Sequence, residues 1–266
     1  MTKRIAIIGA GVMGETLLGS VLRSGHPADH VIVAESREDR ATEISRQHDV
    51  LIRANADAVH DADIVFLAVK PQDIADVLDE IAVQLPPSAV VVSVAAGIRT
   101  IQIEAALAEN TAVIRVMPNT PATVNAGMFA VSPGASCNHE QIMDVHRLLA
   151  AAGEVEIVEE SVQDAVTAVS GSGPAYVFYL AEAMIDGGSA AGLPDETARK
   201  LTAQTLLGAA KLLAGSEFSA AQLRRRVTSP GGTTAAAIEV FDEHRMHDSI
   251  VEAVKAAAAR SLELSG

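Results

Sequence analysis

The sequence holds no tryptophan, two tyrosines and five phenylalanines in 266 residues, so it offers few faces on which nucleobases could stack. Basic charge is also in deficit: 20 Lys and Arg stand against 34 Asp and Glu, a net charge of −14. With pI ≈ 4.9, the surface repels a phosphate backbone, whose affinity for proteins rests on basic contacts. The two deficits together argue against a nucleic-acid partner. A small anion stays admissible, because a local positive site overrides net charge. The single cysteine, Cys137, excludes an intrachain disulfide and a two-cysteine metal clamp, and it fits a reducing compartment. No window approaches the roughly 18–20 consecutive apolar residues of a membrane helix. The N-terminus passes from Met1-Thr2-Lys3-Arg4 directly into Ile5-Ala6-Ile7-Ile8, too short a run for a signal h-region. A cytoplasmic location without a membrane partner is expected.

What is present is a large apolar fraction. Hydrophobic residues make up 49% and charged residues 20%, with mean hydropathy +0.25. That excludes global disorder and suffices for one large core or two modest ones. Up to residue 160, β-branched runs at 4–8, 31–34, 64–68, 89–94, 112–116 and 128–131 alternate with helix-like stretches at 12–24, 37–48 and 72–84. The alternation predicts a parallel sheet with helices on both faces. Beyond it the strand signals stop, and Ala, Leu, Glu, Lys and Arg dominate. Four to five helices are expected there, the first running from 162 toward 190 with a break or kink at Ser170-Gly171-Ser172-Gly173-Pro174. So many apolar positions in a short helical unit predict an oligomer built through this half.

Gly9-Ala10-Gly11-Val12-Met13-Gly14 follows the first apolar run and opens the first helix-like stretch. In such a loop the first glycine makes the tight turn and the second lets backbone approach a pyrophosphate. The third packs the helix against the strand, whose neighbouring helix N-terminus faces the phosphates. In this strand–turn–helix setting the pattern predicts a dinucleotide site. The chain is therefore read as α/β, with an N-terminal Rossmann-type doubly wound sheet at residues 1–160 and an all-α domain at 161–266.

The end of the second run bears on the choice of cofactor, and its signals conflict. Glu35, 21 residues after Gly14, is placed to bind a ribose 2′-hydroxyl of NAD. Ser36 and Arg37 beside it suit a 2′-phosphate. The balance leans to NADP, with NADPH as donor and NADH as the alternative. Ala68-Val69-Lys70-Pro71 and Ala95-Ala96-Gly97 follow later runs and would edge the same crevice. Pro71 suits a first helical turn, and the small residues at 95–97 leave room for a dinucleotide. Met117-Pro118-Asn119-Thr120-Pro121 is a rigid turn suited to a nicotinamide pocket.

A second loop, Thr228-Ser229-Pro230-Gly231-Gly232-Thr233-Thr234, joins two helix-like stretches. A helix cap uses one hydroxyl; this loop supplies four. With two glycines and a helix N-terminus, it predicts a carboxylate site served by the backbone N–H groups of 231–234. The sequence contains no HExxH, Cys/His cluster or GxSxG elbow, and the eight histidines fall outside these segments. Metal and histidine-base mechanisms are thus disfavoured.

Together these stretches, with 169–176 and the run from Val227 through Thr234 to Asp242, resemble the pyrroline-5-carboxylate reductases over essentially the whole chain. The departure is Glu35 with Ser36 and Arg37, a cofactor-selecting segment that varies in the family and bears on the NADP preference rather than on the activity. The resemblance implies reduction of 1-pyrroline-5-carboxylate to proline, with hydride passing to the ring imine carbon. It also implies a homodimer with interlocking helical domains, often gathered into a larger ring, whose active sites draw on both subunits. Residue by residue, it implies that Ser229, Gly231, Gly232 and Thr233 clamp the substrate carboxylate, that the Thr234 hydroxyl lies near the imine nitrogen, and that Asn55 contacts the adenosine. Two rivals fit less well. A β-hydroxyacid dehydrogenase or general imine reductase shares the layout, but the hydroxyacid enzymes need a lysine and an asparagine that residues 162–192 lack. A dinucleotide-sensing protein would not need the hydroxyl-rich loop.

Overall fold

The computed structural model describes residues 2–265. Its first part comprises β1 (Ile5–Ile8), α1 (Val12–Arg23), β2 (Val31–Ala34), α2 (Glu38–His48), β3 (Leu51–Ile52), α3 (Asn55–Val59), β4 (Ile64–Leu67) and α4 (Ile74–Ile81). There follow β5 (Val90–Ser93), α5 (Thr100–Glu104), β6 (Ala112–Met117), β7 (Gly127–Pro133), α6 (His139–Leu149) and β8 (Gly153–Ile157). The rest is helical: α7 (Gln163–Val166), α8 (Gly173–Ala190), α9 (Asp195–Ala214), α10 (Ala220–Arg226), α11 (Thr233–Glu243) and α12 (Met246–Leu264).

The strands form one sheet in the order β3-β2-β1-β4-β5-β6-β7-β8. Its two faces can be read from β1 alone. Ile5 and Ile7 join a core with Leu17 and Leu18 of α1, Ile44 of α2 and Val145 of α6. Ala6 and Ile8 join another with Val59 of α3, Leu78 and Ile81 of α4 and Ile103 of α5. Side chains alternate sides along a strand, so a continuous apolar run serves both layers and the doubly wound α/β expectation holds. Burying Phe66 or Phe129, each fully enclosed, contributes about 2–3 kcal/mol relative to leaving it in water.

The sheet departs from the expected one in three ways. β7 runs antiparallel to β6, because only residues 118–126 join them, fewer than the dozen or so a parallel crossover needs. β3 is two residues long, below the length at which any period shows. β8, Gly-Glu-Val-Glu-Ile, is an edge strand whose alternating glutamates differ from the apolar runs of buried parallel strands. The sequence reading also passed over α6. The expected long helix from 162 is divided by a π-helical turn at Thr167–Gly171, and α8 restarts at Gly173 with Pro174 in its first turn, where the missing N–H costs nothing.

The chain packs into two compact units. One takes in residues up to Ser172 together with those from Ala257 on; the other is Gly173–Ala256. The last turn of α12 is tied into the first unit, with Ser261 Oγ donating to Asp164 Oδ1 at 2.7 Å. In the second unit, α8 and α9 form a hairpin at Gly192, where φ is +99°. The helices approach on small residues, a Cβ at Gly188 falling 3.3 Å from that of Ala198.

These helices lack a core of their own. Neither α8 nor α11 has a buried residue, while Phe178 is 68% and Leu212 66% exposed. Apolar surface of that extent marks an interface. Among the described residues, no helix is long and apolar enough to cross a membrane.

Candidate active site

The chain leaves β1 for β2 and β3 on one side, then returns to lay β4 on the other. Ligands of open α/β sheets bind outside the carboxyl ends of the strands at such a reversal. Here those ends carry the Gly9–Gly14 loop after β1 and Ala68-Val69-Lys70-Pro71 after β4. The two are interlocked. Gly9 turns at φ +92°, and a Cβ on it would lie 2.8 Å from the Ala68 carbonyl oxygen. A Cβ on Gly14 would overlap the Gly9 carbonyl oxygen, whereas one on Gly11 would meet nothing. The first and third glycines are therefore required by packing, and the second faces open space. Gly11 is also the N-cap of α1, and the first intrahelical bond runs from Glu15 N–H to Gly11 O at 2.9 Å. The N–H groups of Val12, Met13 and Gly14 thus have no acceptor within the helix and form a cradle that fits a dinucleotide pyrophosphate.

At the end of β2, Glu35 is turned inward. Its Oε2 accepts from the Ala10 N–H at 3.0 Å. Its Oε1 accepts from the Arg37 N–H at 3.0 Å and from Arg37 Nε at 3.2 Å. Burial alone would raise the Glu35 pKa, but the Arg37 N–H, the Arg37 guanidinium and the Ala10 N–H outweigh it, and the net shift is downward. Ser36 and Arg37 are exposed, with Arg37 as the N-cap of α2. Two residues that the sequence reading missed complete the corner. Arg40 Nε donates to the Ala10 carbonyl at 2.9 Å, and its Nη2 bonds Glu15 of α1. His48 also reaches Glu15, at 3.2 Å.

The other edge residues are placed as follows. Lys70 and Pro71 are exposed at the C-terminal end of β4, with Lys70 capping a 3₁₀ turn that begins at Pro71. Ala95, beyond β5, is buried in the core and Ala96 is exposed. Gly97, at φ +78°, packs against the backbone of Leu264. Asn55 opens α3 and donates from Nδ2 to Glu80 at 2.6 Å. Asn119 joins two of the singled-out motifs: its Oδ1 accepts from Met128 N–H at 2.9 Å, and its Nδ2 donates to Ser170.

The second loop lies between α10 and α11. Gly231 adopts φ +68°, a conformation open to glycine at no steric cost. Gly232 is the N-cap of α11, with no side-chain capping bond, and a Cβ there would press on Ser229 Oγ at 2.5 Å. Two of the expected donors are already engaged. Thr228 Oγ1 donates to Arg224 O at 2.7 Å, and Gly232 N–H donates to Ser229 O at 3.0 Å. The residues Ser229 and Thr233 are exposed and Thr234 half-buried, beside a helix N-terminus whose first N–H groups have no acceptor within the helix.

Residues 160–264 match the family model described as pyrroline-5-carboxylate reductase dimerisation. Residues 4–97 match the one described as NADP oxidoreductase coenzyme F420-dependent. The pyrroline-5-carboxylate reductase of Pseudomonas aeruginosa is 43% identical over 266 residues, 99% of this chain and 97% of that one. The chain belongs to the pyrroline-5-carboxylate reductase family. The Escherichia coli pyrroline-5-carboxylate reductase is 38% identical over 267 residues, 100% of this chain and 99% of its own. The solved structure of a pyrroline-5-carboxylate reductase from Coxiella burnetii matches at TM-score 0.95 and 34% identity, over 100% of both chains. That of Plasmodium falciparum pyrroline carboxylate reductase with NADP bound matches at 0.88 and 26%, over 99% of this chain and 98% of its own. Family membership accounts for both halves of this reductase: an NADP-type oxidoreductase sheet and a dimerisation segment, whose uncovered helices now have a physical explanation.

Proposed function

We propose that this reductase holds its cofactor at the glycine loop and its substrate carboxylate at the loop 229–234. The reaction is NAD(P)H-dependent reduction of 1-pyrroline-5-carboxylate to L-proline. The dinucleotide, when bound, supplies the hydride, and its pyrophosphate fits the open cradle at Gly11. Ala10, Val12 and Met13 complete the loop, and Ser36 and Arg37 address the 2′-phosphate of NADP. Asn55 takes the adenosine. Val69, Lys70, Ala95, Ala96 and Gly97 edge the crevice.

The observation that carries the substrate side is the N-terminus of α11, where the N-cap Gly232 brings no side-chain capping bond and the hydroxyl residues Ser229, Thr233 and Thr234 lie within six residues. Ser229, Gly231 and Thr233 hold the carboxylate, Gly232 lines it as the N-cap of α11 with its own N–H on Ser229 O, and Thr234 presents its hydroxyl to the ring nitrogen. A protonated imine already carries the positive charge that makes its carbon accept hydride, so the residues need only orient it and manage one proton. We assign residues 1–160 to the cofactor and 161–266 to substrate and dimerisation.

The test is oxidation of NADPH and NADH with pyrroline-5-carboxylate and with a six-membered cyclic analogue. Turnover of pyrroline-5-carboxylate is expected with both donors and faster with NADPH; none with either would overturn the reading. We further propose that the dimer is gathered into a larger ring in the cytoplasm, the compartment suited to an unpaired Cys137. Light scattering should then read a multiple of the 27.6 kDa chain larger than two, and a mass of two chains would remove the ring.

A further inference from the structure

Resting on the cofactor reading above, we infer that Glu35 and Arg40 are positioning residues that clamp Ala10 from both sides, so that Glu35 serves the phosphate loop and not the ribose. Ala10 is held at every polar atom. Its methyl group is buried in the core, its N–H is on Glu35 Oε2 at 3.0 Å and its carbonyl is on Arg40 Nε at 2.9 Å.

The carbonyl bond has a directional consequence. In a trans peptide the C=O of one residue and the N–H of the next point in opposite directions. Arg40 draws the Ala10 carbonyl toward α2. The Gly11 N–H is therefore aimed the other way, at the space a bound pyrophosphate would occupy. Arg40 is itself fixed. Nη1 bonds Glu43 at 2.6 Å and Nη2 bonds Glu15, and only 16% of its side chain is exposed. Each nitrogen of its fork bonds the protein, at Ala10, Glu43 and Glu15, which sets it apart from the exposed Ser36 and Arg37 as a 2′-phosphate ligand. Glu35 is similarly committed, both of its oxygens carrying backbone N–H bonds and its side chain only 7% exposed. The acid that by position reads as a ribose ligand of NAD enzymes is here spent on the protein.

The test is fluorescence titration of NADPH and NADH into purified Arg40→Met, Arg40→Lys and Arg37→Ala. Arg40→Met should raise Kd for both cofactors about tenfold, leaving their ratio within about twofold and the KM for pyrroline-5-carboxylate unmoved. Arg40→Lys should recover part of the loss. Arg37→Ala should raise Kd for NADPH about tenfold and leave NADH in place. A loss confined to NADPH in Arg40→Met would make Arg40 a direct phosphate ligand and overturn the proposal, as would no loss at all. If Arg40→Met melts before it can be titrated, Glu15→Gln loosens Arg40 without removing it and should show the same unselective loss at about threefold; no loss there would equally overturn the clamp. If the unaltered reductase binds neither dinucleotide, the cofactor reading fails, and the clamp with it.

Discussion

Thr234→Ala is expected to lower kcat about a hundredfold while Kd for NADPH stays within about twofold. The size follows from the role assigned: a positioned group that orients or protonates the reacting nitrogen contributes about 10²–10⁴ in rate. The lower end applies because a protonated imine needs little further activation. Selectivity follows from place. Thr234 lies in the first turn of α11, in a different compact unit from the glycine loop. Thr234→Ser keeps the hydroxyl and should restore most of the rate. The loss should appear equally in kcat and in kcat/KM for pyrroline-5-carboxylate, the signature of an interaction made in the transition state. Unchanged kcat would remove Thr234 from the mechanism, and a rise in KM alone would leave it a binding residue.

Gly14→Ala is expected to weaken NADPH binding by more than about a hundredfold and to lower Tm by about 5 °C. The added methyl has no room: a Cβ at Gly14 overlaps the Gly9 carbonyl oxygen. That obstacle is backbone at the end of β1, and Gly9 cannot retreat because it abuts the Ala68 carbonyl. α1 must therefore lift from the sheet. Overpacking of this kind costs about 1–3 kcal/mol, which in a chain of this size corresponds to a few degrees per kcal/mol. The loop geometry that aims the N–H groups is lost with it. Gly11→Ala is the control. A Cβ there meets nothing within the chain, so Tm should hold while NADPH binding weakens, because the methyl enters the space left for the pyrophosphate. Equal melting temperatures for the two variants would contradict the assignment of one glycine to packing and the other to ligand.

The glycine loop and the helical-half loop were both legible because their signals are local. Three glycines at fixed spacing between an apolar run and a helix, or two glycines among hydroxyls before a helix, encode a backbone conformation within seven residues. Central strands such as β5, Val-Val-Val-Ser, were legible for the same reason. The two-residue β3 and the edge strand β8 were not, since pairing partners distant in sequence define them. Arg40 was hidden because its neighbours in α2 are polar, and nothing local separates a solvated arginine from one folded back onto a loop thirty residues earlier. Glu35 was visible but ambiguous. Its position named a cofactor role, while the direction of its carboxylate depends on the Ala10 and Arg37 N–H groups that the fold brings to it.

Composition and local pattern alone thus argued against a nucleic-acid partner for this acidic, aromatic-poor chain. They also placed a glycine-rich strand–turn–helix loop at residues 9–14 and a change from sheet to helices near residue 160. These properties depend on residues close in sequence or on sums over the chain. Only the tertiary structure decided where the order of strands reverses and that β7 runs backwards. It also decided that Thr228 and Gly232 are already engaged, that the helices leave their apolar faces uncovered, and that Ala10 is held between Glu35 and Arg40. Those depend on which distant groups meet: a hydrogen bond of about 3 Å is satisfied or left open by the fold, whatever the spacing in sequence.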